Sequence, residues 1–337
     1  KQTKENIMNK LKKVGLSALA GSLAITSAYA GEMAVSGSAK ATYTTRDASG
    51  GNASKDVTGN NFGFNKLLSF TGSGDVDMGT VSVYFGNNGT SQSSASMSLD
   101  MGDMGSLTLD NGVGGHGIGS IDDKTPTAAE EIWDNLSFGT GHDGFRVGAG
   151  NAGALAYKNT LGAVSVSADY IKQGGGSLED GGTGAGGTGS SRSVALTASP
   201  TDGLSVGAGM ADVGTANSGR DSEQQTAFIT YAMGGFTAGY QLAEEETSAA
   251  GDWETAQWGV SFNINDSMAV GYGERTVEFP ADGDNATTLV DEEMKGISAS
   301  YTAGSMSVTA NVNEVEHQKG TSGDNQEVME VAVSFAF

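Results

Sequence analysis

The feature that most constrains this chain is an alternation with a period of two, which recurs from residue 32 to residue 337. In its last segment Val331, Val333 and Phe335 share one face, whereas Ala332 and Ser334 share the other. Successive side chains of a β-strand point to opposite sides, so this pattern predicts strands. Sixteen such segments occur, at residues 32–46, 61–73, 79–88, 93–102, 105–111, 153–161, 162–172, 192–200, 203–213, 224–233, 235–243, 254–265, 266–276, 293–303, 304–315 and 326–337.

The connections between these segments alternate between short and long ones. Seven are short and rich in turn residues, such as Gly74-Asp75, Gly234-Gly235 and Asn265-Asp266. Eight are longer, and the longest covers residues 112–152. This order is typical of an antiparallel up-and-down sheet in which all short turns lie at one end.

The apolar face of so many consecutive hairpins needs a partner, and the chain has little apolar volume elsewhere. Closing the sheet removes its edges and satisfies every backbone N–H and C=O group, as a lipid environment requires. A barrel of about 16 strands encloses an aqueous lumen. We therefore predict an all-β, transmembrane, antiparallel up-and-down barrel of sixteen strands with apolar side chains toward lipid. A soluble or surface adhesive β-protein is the alternative.

Two details of the pattern concern the outer face. Lys66 shares a face with Phe64 and Leu68, which predicts a β-bulge in the second strand or an error in its register. Aromatic residues lie toward strand ends, as interfacial girdles do, at Tyr43, Phe85, Tyr170, Phe236, Tyr240, Tyr272, Phe335 and Phe337.

Residues 1–30 are typical of a leader. A basic segment starts at Met8, an apolar run extends over residues 14–25, and Ala28-Tyr29-Ala30 forms a small-residue cleavage site. The run is shorter than the roughly 20 residues that a transmembrane helix needs. We predict a signal peptide from Met8 to Ala30, upstream residues 1–7, and a single barrel domain over residues 31–337.

The charge balance argues against nucleic-acid binding. The chain has 18 Lys+Arg and 40 Asp+Glu, a net charge of −22. Residues 31–337 hold 13 basic and 39 acidic residues, a net of −26, whereas phosphate backbones bind clustered basic residues. The chain has no cysteine, which excludes disulfides and thiolate-held metals. We expect no cofactor, although the acidic runs at 244–246 and 291–293 could hold Ca²⁺ if they are not merely solvated.

Taken together, these features resemble a Gram-negative general porin. The resemblance rests on the leader, the opening at residues 32–37, the sixteen segments, the long connection after the fifth strand, and the alternating aromatics that end at Phe337. It implies a homotrimer in the bacterial outer membrane and assembly directed by the last strand. It also implies a third loop that folds into the lumen and sets the pore size.

A diffusion channel performs no bond chemistry, so its function depends on its narrowest cross-section and the charges there. The connection at residues 111–152 is long enough to favour such a role. Pro126 and a Thr127/Glu130 capping box predict a short helix in it, which Ile132 and Trp133 would pin to the wall. We predict that the acidic side of the constriction consists of Asp122, Asp123, Glu130, Glu131 and Asp134, with Lys124 in the same segment.

The opposing charges should come from inward positions of the strands. We predict Lys40, Arg46 and Lys158 as the basic side and Asp100, Asp110 and Asp169 as further inward acids. Because acids outnumber bases three to one after residue 30, we predict passage of small hydrophilic solutes and ions with a preference for cations. The alternatives are that the long connection is a solvated surface loop, and that Lys40 and Lys158 simply pair with neighbouring carboxylates.

An enzyme is the remaining alternative. An outer-membrane hydrolase would need a Ser/His pair near one wall, but His116, His142 and His317 lie in separate connections. The same separation argues against a histidine-ligated metal. We therefore predict no enzymatic activity.

Overall fold

A computed structural model describes residues 33–50, 59–89, 92–136, 152–172, 190–214, 221–247, 251–279 and 289–337. They form sixteen antiparallel strands in one closed barrel, in which each strand pairs with its sequence neighbours and the first pairs with the last. The strands are β1 Met33–Ala48, β2 Phe62–Val76, β3 Gly79–Asn87, β4 Gln92–Asp100, β5 Ser106–Asn111, β6 Ala152–Leu161, β7 Val164–Lys172, β8 Ser190–Thr201, β9 Leu204–Val213, β10 Ser222–Met233, β11 Phe236–Thr247, β12 Gly251–Asn265, β13 Met268–Glu278, β14 Glu292–Ala303, β15 Met306–Glu316 and β16 Gln326–Ala336. The predicted fold class is confirmed.

The two ends of the sheet close on each other between β1 and β16. Their register runs from Ser38 opposite Ala336 to Ala48 opposite Gln326. Beyond it, Gly37 and Phe337 exchange two backbone hydrogen bonds of 2.7 and 2.9 Å. A side chain at Gly37 would meet the Phe337 ring at 2.6 Å, so the close approach needs glycine. The closed ladder leaves no sheet edge.

The alternation separates two environments. On β10, Ile229 and Tyr231 are exposed on the outer face, whereas Gln224 and Thr226 are buried on the inner face. Toward the end of the barrel with the long connections, the outer face carries carboxylates instead of apolar groups: Asp212, Glu223, Glu244, Glu246, Asp252, Glu254, Glu278, Glu293, Glu316 and Glu327. Within the described residues, no helix has the length and apolar character to cross a membrane.

The short turns lie at the opposite end. Gly162 and Gly304 each begin a two-residue turn with a positive φ, 66° and 62°, which suits hairpins and which glycine adopts without strain. One predicted turn is wrong: Gly74-Asp75 lies within β2, because this strand continues to pair with β3 as far as Val76 opposite Gly79.

The predicted irregularity at Lys66 is also wrong. The pairing of β2 with β1 is continuous, and Lys66 lies opposite Ala39 on the outer face. The lysine stem runs toward Gly89 in the connection after β3, where a Cβ would be 2.3 Å from Lys66 Cε. A lysine can cover apolar surface with its stem while its ammonium reaches water, so no bulge is required.

Candidate functional site

The connection from β5 to β6, here called the inner loop, enters the barrel. Its described part covers residues 112–136. A short 3-10 turn at Gly117–Ser120 begins its path along the wall. The Gly117 amide donates to Ser167 Oγ on β7, and the Ile118 amide donates to Ser193 Oγ on β8. The donor–acceptor distance is 2.9 Å in both hydrogen bonds. The loop is therefore folded into the lumen and is not a solvated surface loop.

The loop then follows the wall from β8 to β12. The side chains of Ile118 and Ile121 are almost fully buried against inward residues of β8, β9 and β10. Gln241 on β11 accepts the Lys124 amide at 2.8 Å and donates to the Ile121 carbonyl at 2.7 Å. Gln257 on β12 donates to Asp123 Oδ1 at 3.0 Å. Gln241 thus supplies partners for backbone groups that an irregular loop leaves unpaired, whereas Gln257 holds the loop through the Asp123 side chain.

A row of inward glycines makes room for the loop on the wall. Gly239, Gly259, Gly273 and Gly296 lie directly opposite one another on β11, β12, β13 and β14. A Cβ at Gly259 would lie 2.7 Å from the Pro126 carbonyl oxygen, and one at Gly239 would lie 2.6 Å from Pro126 Cδ. No larger residue fits without displacing the loop or the wall.

The far end of the loop is fixed by side chains of β13 to β15. Asn313 lies opposite Gly296 in the sheet, and its side-chain amide donates to the carbonyls of Glu131 and Asp134. Both hydrogen bonds are 3.0 Å long. Ile132 packs in a buried cluster with Leu136, Met294, Val315 and Val328, and Trp133 packs beside it. Arg275 stacks over the Trp133 ring, 5.1 Å from its centroid. The predicted contact of Ile132 and Trp133 with the wall is confirmed, but these residues hold a turn at 132–135 instead of a helix.

The helix predicted after Pro126 is absent from the described loop. Thr127 Oγ1 donates to the Ala129 carbonyl rather than capping a helix, and a turn lies at residues 132–135. The backbone finds its partners on the wall instead, since the Ala128 amide donates to Ser298 Oγ at 3.1 Å. A capping box stabilises a helix only where such competing partners are missing.

The acidic residues of the loop meet a lysine of β1. Lys40 Nζ lies 2.5 Å from Glu130 Oε1 and 3.4 Å from Glu330 Oε1 on β16. Carboxylate oxygens of Glu130, Glu131 and Asp134 lie within 4.8 Å of one another. The structure thus brings three of the five predicted acidic residues together beside Lys40, which pairs with two carboxylates instead of facing the acidic side across an opening.

Crowding of carboxylates changes their protonation. Burial, followed by the hydrogen bonds and charges of Glu130 and Glu131, raises the pKa of Asp134 to about 8. Burial also acts to raise the pKa of Glu130, but hydrogen bonds with Lys40 and Asp134 outweigh it and lower that pKa. Burial and the charge of Glu131 raise the pKa of Asp123 to about 6. At neutral pH the Asp134 carboxyl is mostly protonated, while Glu130 is ionised.

Asp122 precedes Asp123 in the inner loop, and burial raises the pKa of the Asp122 carboxyl above its ordinary value. Arg46 on β1 donates from Nη2 to the Asn135 carbonyl at 2.5 Å, so it holds the loop rather than facing it across a gap.

The remaining predicted residues lie away from the acidic cluster. Lys158 and Asp100 line a cavity of 780 Å³ near the short turns, together with Lys124. Asp110 points inward but is fully buried at the root of the loop, where it accepts the amides of Val113 and Gly114. Asp169 also points inward and accepts the Ser193 hydroxyl at 2.9 Å. The geometry thus separates these residues from the group around Lys40.

Several residues that build the site were missed in the sequence. Arg275 and Glu330 have the inward parity of their strands, opposite to Tyr272 and Met329, and this signal would have found them. Gln241, Gln257 and Asn313 share the same parity, but nothing in the sequence distinguishes an amide that holds a loop from one that faces water.

The carboxylates of an acidic run considered for Ca²⁺ do not all lie on one face of the sheet. Glu244 and Glu246 point outward from β11, whereas Glu245 points inward and is buried. Calcium binding there stays a prediction. His142 and residues 137–151 of the inner loop lie outside the described residues, as do the predicted signal peptide and cleavage site.

Comparison with known proteins agrees with this architecture. A family model described as Gram-negative porin matches residues 15–337. No curated protein sequence matches the chain. Pseudomonas putida OprB matches with a TM-score of 0.64 and 11% identity, and the match covers 90% of this chain and 94% of that chain. The anion-selective porin from Comamonas acidovorans matches with a TM-score of 0.60 and 15% identity, over 91% of this chain and 99% of that chain. Salmonella typhi OmpF in complex with daunomycin matches with a TM-score of 0.59 and 11% identity, over 91% of this chain and 98% of that chain.

The glycine row generates a test of how the loop is held. Gly259→Ala should push Pro126 from the wall, because overpacking of this kind costs about 1–3 kcal/mol. We expect hydrogen exchange of the Lys124 amide, which Gln241 holds, to become roughly tenfold faster or more. Gly72→Ala on β2 is the control, because its nearest contact would be an ordinary 3.4 Å. Unchanged exchange in the first variant, or equal acceleration in the second, would contradict this.

Proposed function

The chain belongs to the Gram-negative porin family, and from this premise we propose that its lumen is a passive pathway for small hydrophilic solutes and ions that prefers cations. It is an outer-membrane channel protein. The observation that supports the proposed preference is the crowding of carboxylates on the inner loop. Residues 112–136 contain five acidic residues and one lysine.

The state of the nearby cations favours the same direction. Lys40 is engaged by Glu130 and Glu330, and Arg46 by the Asn135 carbonyl. The positive charge of Lys40 is therefore compensated by carboxylates, whereas Asp122, Asp123 and Glu131 add negative charge to the same loop. Rings and clusters of carboxylates favour cations in channels. We assign the constriction to Asp122, Asp123, Glu130, Glu131 and Asp134 on this basis, with Lys40 and Arg46 of β1 in contact with the loop and Lys158 toward the short turns.

The preference depends on these particular charges rather than on the net charge of the protein. The Comamonas acidovorans relative is called anion-selective, so the barrel fold does not itself fix the sign. Among the residues that the structure describes, the lumen carries no arrangement that we assign to catalysis. The family match and the fold do not favour the non-conducting adhesive protein considered from the sequence, which would give no current.

Planar-bilayer recording tests both parts of the proposal. We expect discrete open steps from the full-length protein, and a reversal potential in a salt gradient that indicates cation preference. The triple variant Glu130→Gln, Glu131→Gln, Asp134→Asn should lower the cation-to-anion permeability ratio several-fold, because close charges act strongly in a narrow pore.

A matched control removes three charges from the outer face. The control carries Glu223→Gln, Glu246→Gln and Glu254→Gln. The three native glutamate side chains are exposed and point away from the lumen. Charges this far from the pathway are largely screened by salt, so the permeability ratio should stay unchanged. Equal shifts in both triple variants, or no shift in the first, would remove the acidic cluster from the constriction.

The pKa of Asp134 predicts a pH dependence. Because its carboxyl is protonated below about pH 8 and ionised above, raising the pH from 6.5 to 9.5 adds one negative charge to the cluster. Cation preference should therefore increase over this interval, with a midpoint near pH 8. Asp134→Asn should flatten the curve. A wild-type ratio that falls as the pH rises would contradict the assignment.

Export and assembly complete the proposal. We propose that residues 8–30 direct export and are removed after Ala30, and that three copies assemble in the membrane. Mass spectrometry of the protein from outer membranes should give an N-terminus at Gly31. Current steps grouped in threes would support the trimer. An intact leader, or solitary steps only, would overturn the respective part.

A further inference from the structure

A cavity lies between the inner loop and the short turns, apart from the carboxylates around Lys40. Its volume of 780 Å³ is within the range of small-molecule binding sites. Two lysines line it, Lys124 from the loop and Lys158 from β6, where Lys158 lies opposite Ser167. None of the contacts that hold the loop on the wall involves the ammonium group of either lysine.

The two ammonium groups are not neutralised by ion pairs. Among the residues that the structure describes, neither Lys124 nor Lys158 forms one. Asp122 precedes Lys124 by two residues, and their charges interact without an ion pair. The Lys124 amide donates to Gln241 and its carbonyl oxygen lies against Gly239, so the backbone faces the wall and the side chain is left to line the cavity. Two uncompensated positive charges at one cavity favour an anion there.

Hydroxyl groups cover the adjoining wall of the cavity. Thr197 on β8, Ser205 on β9 and Thr230 on β10 line it. Ser205 lies directly opposite Thr230 in the register, so these hydroxyls are close neighbours on the inner face. Within the described part of the chain, no group forms a hydrogen bond with any of the three hydroxyls. They are therefore free to donate to a solute and to accept from it.

Two further kinds of group complete the lining. Asp100 accepts a backbone amide of the β4–β5 turn through Oδ1 at 2.9 Å, which leaves its second oxygen as an acceptor, and the exposed Asp103 of the same turn adds another carboxylate. The ring of Phe228 lies on the inner face of β10, opposite Gly207, where an added Cβ would overlap the ring. The cavity thus combines cations, hydroxyls, acceptors for hydroxyl protons and one apolar surface.

We propose that this cavity is a binding site for small polyhydroxylated organic anions, the class of the sugar acids. The carboxylate of such a solute lies against the ammonium groups of Lys124 and Lys158. Its hydroxyls exchange hydrogen bonds with the hydroxyl groups of β8 to β10 and donate to Asp100, and its C–H groups contact Phe228. A neutral sugar lacks the first set of contacts, and an anion without hydroxyls lacks the second.

This site deepens the proposed function, and it rests on that function for the route by which the solute reaches the cavity. The acidic cluster and the lysine cavity are separate, so a preference for small cations in transit and retention of an organic anion do not conflict. A solute in a channel must bind favourably enough to enter and weakly enough to leave. We therefore expect weak, saturable binding.

Saturation-transfer nuclear magnetic resonance of the full-length protein in detergent measures such binding without any current. The probes are gluconate, glucose and propionate. We expect gluconate to bind with a dissociation constant roughly tenfold lower than that of either other probe, because each of these lacks hydrogen bonds that the cavity offers.

Charge variants test the lysines. Lys124→Gln with Lys158→Gln should raise the dissociation constant of gluconate roughly tenfold, since the hydrogen bonds to its carboxylate lose their charge assistance. Binding of glucose should not change. Lys66→Gln with Lys295→Gln is the matched control, because it removes two lysines from the outer face and should leave gluconate binding as in the wild type.

Hydroxyl variants test the adjoining wall. Thr197→Val with Thr230→Val keeps the shape of both side chains and replaces each hydroxyl by a methyl group. Binding of gluconate should weaken several-fold, because its hydroxyls lose partners, whereas binding of propionate should stay the same.

Equal affinity of the wild type for gluconate and propionate would overturn the proposed solute class, and unchanged gluconate binding after loss of both lysines would overturn the site. Should that variant fail to fold, the three probes on the wild type decide the matter. Failure of the channel proposal is distinguishable from these results. Gluconate binding by a protein that prefers anions or carries no current contradicts only the channel proposal, whereas cation-selective current without gluconate binding contradicts only the site.

Discussion

Backbone hydrogen bonding inside a lipid phase is the constraint on which the rest of this molecule depends. A strand that faces acyl chains must pair on both sides, and the ladder between β1 and β16, completed by Gly37 and Phe337, removes the last unpaired edge. In a closed sheet, successive side chains of each strand point alternately outward and inward. The period of two in the sequence therefore places the apolar side chains on the outer face and the polar side chains on the inner face. The lumen exists because sixteen strands enclose more space than their small inward residues can fill.

The inner loop enters that lumen, and residues of the wall are arranged to receive it. Four paired glycines on β11 to β14 provide the space, while Gln241 and Asn313 supply hydrogen bonds to the irregular backbone of the loop and Gln257 bonds to the Asp123 side chain. Apolar contacts of Ile121 and Ile132 hold the loop at two separate points. The path of the backbone buries Asp134 beside Glu130 and Glu131, and burial, followed by the effect of these two neighbours, raises the pKa of Asp134 to about 8.

The sequence was sufficient for the fold and only partly sufficient for the site. Alternation predicted all sixteen strands because burial in a closed sheet follows strand parity, and β2 was misjudged only in its end and at Lys66, whose long stem tolerates an outward position. The helix near Thr127 failed because its backbone partners come from distant residues such as Ser298, which no local motif contains. Glycines at inward positions of successive strands, Gly239 to Gly296, were visible as a pattern, but their meaning depends on a loop more than a hundred residues away. The pairing of Lys40 with Glu130 likewise needs the three-dimensional path of the loop.

The central claim, that alternate residues of each strand face water and lipid, has a direct measurement because the chain contains no cysteine. Single cysteines at Ser307, Val308, Thr309 and Ala310 of β15 are placed in lipid vesicles, labelled with a water-soluble thiol reagent, and separately labelled with a fluorophore that is quenched by spin-labelled acyl chains. Positions 307 and 309 should react from water and escape quenching, whereas positions 308 and 310 should resist the reagent and be quenched. Equal behaviour at all four positions would contradict the account.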